Sequence, residues 1–256
     1  MEQKISMEIN SDINILGGLP DLSLISYFLG KDRSGLLLKE DHHTYTSIKT
    51  DKSVKRFEKA IFSTFLKFKN SNIELIISSM LNQESISSDS LILLFWNSSY
   101  NNDVLKYLNE NLYFVSFYSG RITIKQDDVI ACLKDLKERE IELKKWSDST
   151  LKITASKYLT LLKKFHLMEG ALHKTIVHPY LNDKMFILFV YWITAIESKQ
   201  NLMESKWLKY SFCERPLFIE RVLQKKFSKY FQLQYTGDKL NIETSIPYEN
   251  IYHAIK

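Results

Sequence analysis

Seven lysines fall between residues 144 and 174: Lys144, Lys145, Lys152, Lys157, Lys163, Lys164 and Lys174. Only Asp148 and Glu169 oppose them, so the stretch carries a surplus of five positive charges, equal to the formal net charge of the whole 256-residue chain. Ammonium groups at this density neutralise phosphates and release condensed counterions, which gives an affinity that depends strongly on salt and little on sequence. His173 sits beside Lys174 and could touch a phosphate from the same turn. A smaller basic group, Lys225, Lys226 and Lys229, lies near Arg221. The competing reading is a solvated lysine-rich face without a partner. Base-specific contacts would draw on Arg, Asn or Gln. The span Thr150 to Phe165 offers Lys, Ser and Thr instead, so largely non-sequence-specific phosphate contacts are expected of it.

Other reactive residue types do not assemble into a recognisable centre. His42 and His43, and later His166, His173 and His178, lack the i, i+4 spacing with a carboxylate that a helical zinc site needs. Neither cysteine supports them. Cys132 and Cys213 are far apart, have no CxxC spacing and sit in apolar stretches, as small core residues of a reducing compartment do. Gly17-Gly18 is followed by no Gly-Lys-Ser/Thr, and it suits a turn rather than a phosphate loop. Asp135, Glu138, Glu140 and Glu142 alternate with Lys134, Lys137 and Arg139, the pattern of i, i+4 pairs on an exposed helix. No metal, no cofactor and no catalytic residue is assigned, and the expectation is a protein that is not an enzyme.

The elements that must position the lysines follow from periodicity. Asp127 to Trp146 is predicted helical, with Val129, Ile130, Leu133, Leu136 and Ile141 on one side. Ser147-Asp148-Ser149-Thr150 interrupts it and supplies side-chain oxygens for the first N–H groups of a second helix to Phe165. That helix has Ile153, Leu159, Leu162 and Phe165 along its apolar stripe. Leu167 to Val177, turning at Glu169-Gly170-Ala171, is predicted as a short hairpin closed by Pro179. A helix from Pro216 to Lys229 and a hairpin turning at Thr236-Gly237-Asp238 repeat the arrangement. A helix followed by a tight hairpin is what a winged-helix module needs, because helix and wing both approach the phosphates.

Elsewhere, helices are expected over Asp51–Phe68, Ile73–Leu81, Lys184–Ser198 and Met203–Phe212. Tyr113–Tyr118 is apolar all round and suits a buried strand or a buried helix equally. Seven glycines and four prolines are few for this length and favour long helices over an all-β sandwich. The expected fold is mainly α, a helical bundle with helix-turn-helix or winged-helix-like units and short β-hairpins. Composition suggests three regions: residues 1–125, a basic unit at 126–180, and 181–256. The longest apolar run, Met185 to Ile196, is too short to span a bilayer and no apolar signal core follows the polar start. No membrane insertion is expected, and a cytoplasmic location is.

The run Trp146-Ser147-Asp148-Ser149-Thr150, the Leu161-Leu162 pair, Phe165-His166-Leu167-Met168 and Pro179 after the hairpin resemble the middle portion of the BrxA family. These are accessory proteins of bacteriophage-exclusion (BREX) defence systems. Gly17-Gly18-Leu19 is similar to an early Gly-Gly-Leu element of that family, and the Gly237-Asp238 hairpin to its end. His166 stands where the family has glycine, and Pro20 and Asp21 depart from its early pattern. The resemblance implies a helical, non-enzymatic phage-defence component that binds double-stranded DNA, with other BREX proteins as further partners. A protein-interaction scaffold with solvated lysines, or an RNA-binding helical protein, are the alternatives.

Overall fold

The computed structural model describes residues 9–20, 22, 24, 25, 28, 50–81, 86–171, 174–197 and 201–255. In chain order the helices are α1 (Ile13–Leu16), α2 (Asp51–Thr64), α3 (Ser71–Leu81), α4 (Ser88–Asn101) and α5 (Asp103–Leu108). A π turn over Asn109–Tyr113 joins α5 to α6 (Phe114–Tyr118). Then come α7 (Gln126–Arg139), α8 (Asp148–Lys164), β1 (Met168–Glu169), β2 (Thr175–Ile176) and α9 (Asp183–Ile196). The rest is α10 (Arg215–Val222), β3 (Phe231–Tyr235), β4 (Leu240–Thr244) and α11 (Tyr248–Ala254), with short 3-10 turns between. The fold is mainly α, with two small antiparallel strand pairs among the described residues, both at the predicted hairpins. The sequence also suggests a short apolar helix from Asp21 to Leu29, which lies largely outside the described residues, and His42 and His43 lie wholly outside them.

Two compact units result: Met1–Lys67 with Leu91–Val177, and Phe68–Ser90 with His178–Lys256. In the first, α8 is the central element. It buries Leu151, Ala155, Tyr158, Leu159, Leu161 and Leu162. Its C-cap residue, Phe165, enters an aromatic cluster, with ring centroids 5.5 Å from Phe95 and 6.1 Å from Phe65. The Tyr158 hydroxyl donates to Asn109 Oδ1 at 2.9 Å, and Asn109 Nδ2 donates to Ser99 Oγ at 2.9 Å. Ser99 in turn donates to the Phe95 carbonyl at 2.7 Å. This buried chain ties α8 to the π turn and to α4, and each link has a partner, which is what makes buried polar groups tolerable.

Helix ends are set by side chains. The Asn97 amide donates to the Phe65 and Lys67 carbonyls, and the Asn101 amide to those of Thr64 and Lys67. These contacts stop α2 at Thr64, four residues short of the predicted Phe68. Helix α7 likewise ends at Arg139 rather than Trp146. Glu140 is extended (φ −109°, ψ 116°), and the Lys137 ammonium takes the Trp146 carbonyl at 2.6 Å. Ile141, predicted on the apolar side of that helix, is therefore 79% exposed in a 3-10 turn. The Tyr113–Tyr118 stretch is helical.

In the second unit, α9 is buried on almost every side, as its unbroken apolar run requires. Its Tyr191 hydroxyl lies 2.8 Å from the Tyr230 carbonyl and accepts from the Ile246 N–H at 3.1 Å, holding both ends of the β3–β4 hairpin. The Met203–Phe212 stretch forms two 3-10 turns instead of one helix, because Asn201 Oδ1 and Ser205 Oγ each accept an early N–H, from Met203 and Trp207. Helix α10 stops at Val222, before the predicted Lys229, as Gln224 turns extended (φ −63°, ψ 131°).

The end of α8 explains the unusual histidine. The Leu167 N–H reaches the Leu162 carbonyl at 2.9 Å and the His166 N–H reaches that of Lys163 at 3.0 Å, a Schellman arrangement that puts His166 at φ +58°. Glycine adopts that conformation without the roughly 1 kcal/mol penalty of an L side chain. Replacing the exposed His166 by Gly should raise the melting temperature by a few degrees; an unchanged or lower value would contradict the backbone assignment. Tyr158→Phe leaves Asn109 Oδ1 buried without its donor and should cost about 1–3 kcal/mol in denaturant titration.

Candidate nucleic-acid interface

The basic stretch is built on α7, α8 and a small sheet. Residues 122–124 approach β2 on the side away from β1. Thr123 bridges Thr175, and the Ile176 N–H donates to the Ile122 carbonyl at 2.8 Å. On its other side β2 pairs with β1 in the register Met168↔Ile176, Glu169↔Thr175. The chain thus runs from an edge segment through two helices into a hairpin whose return strand lies in the middle. Gly170 at φ +88° makes the reversal possible. Asp128 fixes the start of α7 by accepting from the Lys125 N–H at 2.7 Å and pairing with Arg121 at 2.5 Å. Ser147 Oγ caps α8 by accepting from the Thr150 N–H at 3.2 Å.

The face of α8 opposite its buried stripe carries Ser149, Lys152, Ile153, Ser156, Thr160 and Lys163. The remaining lysines of that helix lie to one side, against Gly17 and Gly18. Gly17 has an ordinary helical conformation, and what it provides is proximity. A Cβ there would stand 2.5 Å from the Lys157 carbonyl oxygen and 2.7 Å from the Lys157 Cβ. The Lys164 ammonium donates to the carbonyls of Gly17, at 3.4 Å, and of Leu19. Adjacent residues in the sequence therefore do different things: Lys163 lies on the outward face, and Lys164 ties down the N-terminal turn.

Lys144 and Lys145 are exposed in the connection before α8. Lys144 borders a cleft of about 530 Å³ between α7 and the start of α8, with Lys134, Lys137, Glu138, Asp148 and Leu151. Lys174 is half-buried at the start of the return strand, and His173 lies outside the described residues. In the other unit, the Lys226 ammonium pairs with Asp183 at 2.6 Å, beside Arg221 at 3.2 Å. Those contacts, Lys226 first, hold the Asp183 carboxyl below its ordinary range. Lys229 lies over the Tyr230 ring at 4.7 Å, and Lys225 is exposed.

Of the acidic residues expected to pair along this helix, Asp135 does so with Arg139, whereas Glu140 and Glu142 lie beyond the end of α7 and Glu142 accepts from the Ile9 N–H at 2.8 Å. Asp135 meets Arg139 at 2.9 Å and also accepts from the Tyr107 hydroxyl. Burial, reinforced by the Asp135 charge, pushes the neighbouring Cys132 thiol up to about 11, so it is protonated at neutral pH. Neither Cys132 nor Cys213 forms a disulfide. Among the described residues no three His, Cys, Asp or Glu side chains come together as a metal site.

The Gly17 contact generates a direct expectation. Gly17→Ala forces α1 and α8 apart and should destabilise the protein by about 1–3 kcal/mol, the usual range for overpacking. Thermal melts of that variant beside Gly18→Ala, whose nearest contact would be 3.2 Å, give the comparison. Equal melting temperatures would show that the close approach at Gly17 carries no special weight.

Comparison with known proteins gives one positive result. No curated protein and no solved structure is a significant match. No helix among the described residues is long and apolar enough to cross a membrane. The family model for BrxA matches residues 47–189, more than half of the chain. That range includes the Trp146–Met168 run and Pro179, while Gly17-Gly18-Leu19 and the Gly237-Asp238 hairpin lie outside it. On this match the chain belongs to the BrxA family, and so to the components of BREX phage-defence systems.

Proposed function

We propose that the protein is a non-enzymatic DNA-binding component of its BREX system, gripping duplex phosphates through a winged-helix surface in its first unit. The observation that carries this reading is the placement of the charge surplus. Lys152 and Lys163 lie on the outward face of α8, Lys144 and Lys145 lie just before it, and Lys174 lies in the hairpin. The connectivity from residues 122–124 through α7 and α8 to β1 and β2, with β2 central, supports the winged-helix reading. In such a module the second helix enters the major groove and the hairpin approaches the flanking backbone. Lys225, Lys226, Lys229 and His173 are secondary contacts in this proposal. Lys226 contributes least, because Asp183 already neutralises it.

Fluorescence anisotropy with a labelled 20-base-pair duplex tests the proposal. With four or five phosphates neutralised, raising salt from about 50 to about 200 mM should weaken binding by roughly 10² to 10³-fold. Lys152→Gln and Lys163→Gln should each reduce the logarithmic salt slope by about one. Lys164→Gln should lower the melting temperature and leave the slope in place. Undetectable or salt-insensitive binding would overturn the proposal. Preference for an RNA duplex of equal length would transfer it to RNA. A stable complex with another defence protein, indifferent to these substitutions and without DNA affinity, would replace it with a scaffold.

A further inference from the structure

Ile153 occupies a position that folding does not explain. It is 53% exposed, whereas Leu151, Thr154 and Ala155 around it are at most 1% exposed. Its periodicity places it in an apolar stripe, yet the helix turns it to the opposite side. There it is the one apolar residue among Ser149, Lys152, Ser156, Thr160 and Lys163. A β-branched residue is also a mediocre helix former at a surface site, where Ala, Lys or Glu would serve better. Helical side chains lean toward the N-terminus, so Ile153 projects over the first turns of α8, beside Ser149.

That is the part of a recognition helix that meets base edges, and it is bracketed by lysines suited to the phosphates on either side. The major groove presents one apolar group, the C5-methyl of thymine, which aliphatic side chains contact. We infer that Ile153 packs on a thymine methyl and gives the otherwise sequence-tolerant surface a modest preference for T-containing sites. The serines on either side donate or accept equally and impose no stronger choice. This inference rests on the DNA-binding proposal above, and its test separates the two.

The probes are two duplexes of alternating sequence, one of dA and dT and one of dA and dU, which differ only in the methyl group. The unaltered protein should bind the thymine duplex about three- to fivefold more tightly, the effect of burying one methyl-sized group. Ile153→Ala should bind both duplexes alike, at the affinity the original protein shows for the uracil duplex. A circular dichroism melt will establish that this exposed substitution leaves the fold intact. Equal affinity of the unaltered protein for the two duplexes would overturn the inference and leave DNA binding standing. Discrimination that survives Ile153→Ala would assign the methyl contact to another residue and overturn it too. Absence of binding to either duplex would overturn the underlying proposal instead.

Discussion

On the proposed reading α8 is a recognition helix, bare on one side and held firmly on the others, and the holding depends on a buried hydrogen-bond chain. Tyr158, Asn109, Ser99 and the Phe95 carbonyl are linked in sequence at 2.7–2.9 Å, away from water. Because each link is satisfied, the chain costs little and fixes the rotation of α8 about its axis. Apolar packing alone specifies rotation poorly, since a leucine-rich stripe can slide by several degrees without losing much buried area. Phe165 locks the far end through Phe65 and Phe95. Gly17 lets the N-terminal turn close against the flank at Lys157. Three of the four sides of α8 are thereby occupied.

The sequence made the elements legible where local chemistry decides them. Gly170 and Gly237 mark reversals that need positive φ, and both hairpins stand where those glycines place them. Ser147 caps α8 as the Ser-Asp-Ser-Thr run suggests. Helix ends set by distant side chains were not legible: Asn97 and Asn101 lie over 30 residues from the α2 carbonyls they take. The basic stretch was legible as a segment but not as a surface. Lys163 and Lys164 are indistinguishable in a charge count, yet consecutive helical residues point about 100° apart. One of them meets the Gly17–Leu19 carbonyls and the other does not. Ile153 was misplaced for a related reason, because an isoleucine at near-helical spacing is scored as core whether or not anything covers it.

The same geometry changes the meaning of the charge surplus. Five excess charges do not amount to five ligands, since Lys164 is engaged within the protein and Lys157 flanks the glycine turn. The outward face of α8 is correspondingly sparse, with two lysines, three hydroxyls and one isoleucine. If the proposed DNA binding holds, a sparse face of that kind suits weak discrimination among sites. Membership of the BrxA family makes the chain a component of a phage-defence system.

The π turn at Asn109–Tyr113 has its own consequence for how this helix pair can change. An ordinary α-helix through the same residues would carry Tyr113 and Phe117 about 100° further round from Val104, Leu105 and Leu108. The wider turn absorbs one residue and keeps both sets in the core, with Tyr113 and Leu108 fully buried. It acts as a phase corrector between α5 and α6. Removing a single residue from it would leave an ordinary helix with Tyr113 and Phe117 still in phase with Leu108, whereas straightening it at its present length would turn them out of the core. Length and turn width in this short segment are thus matched to each other.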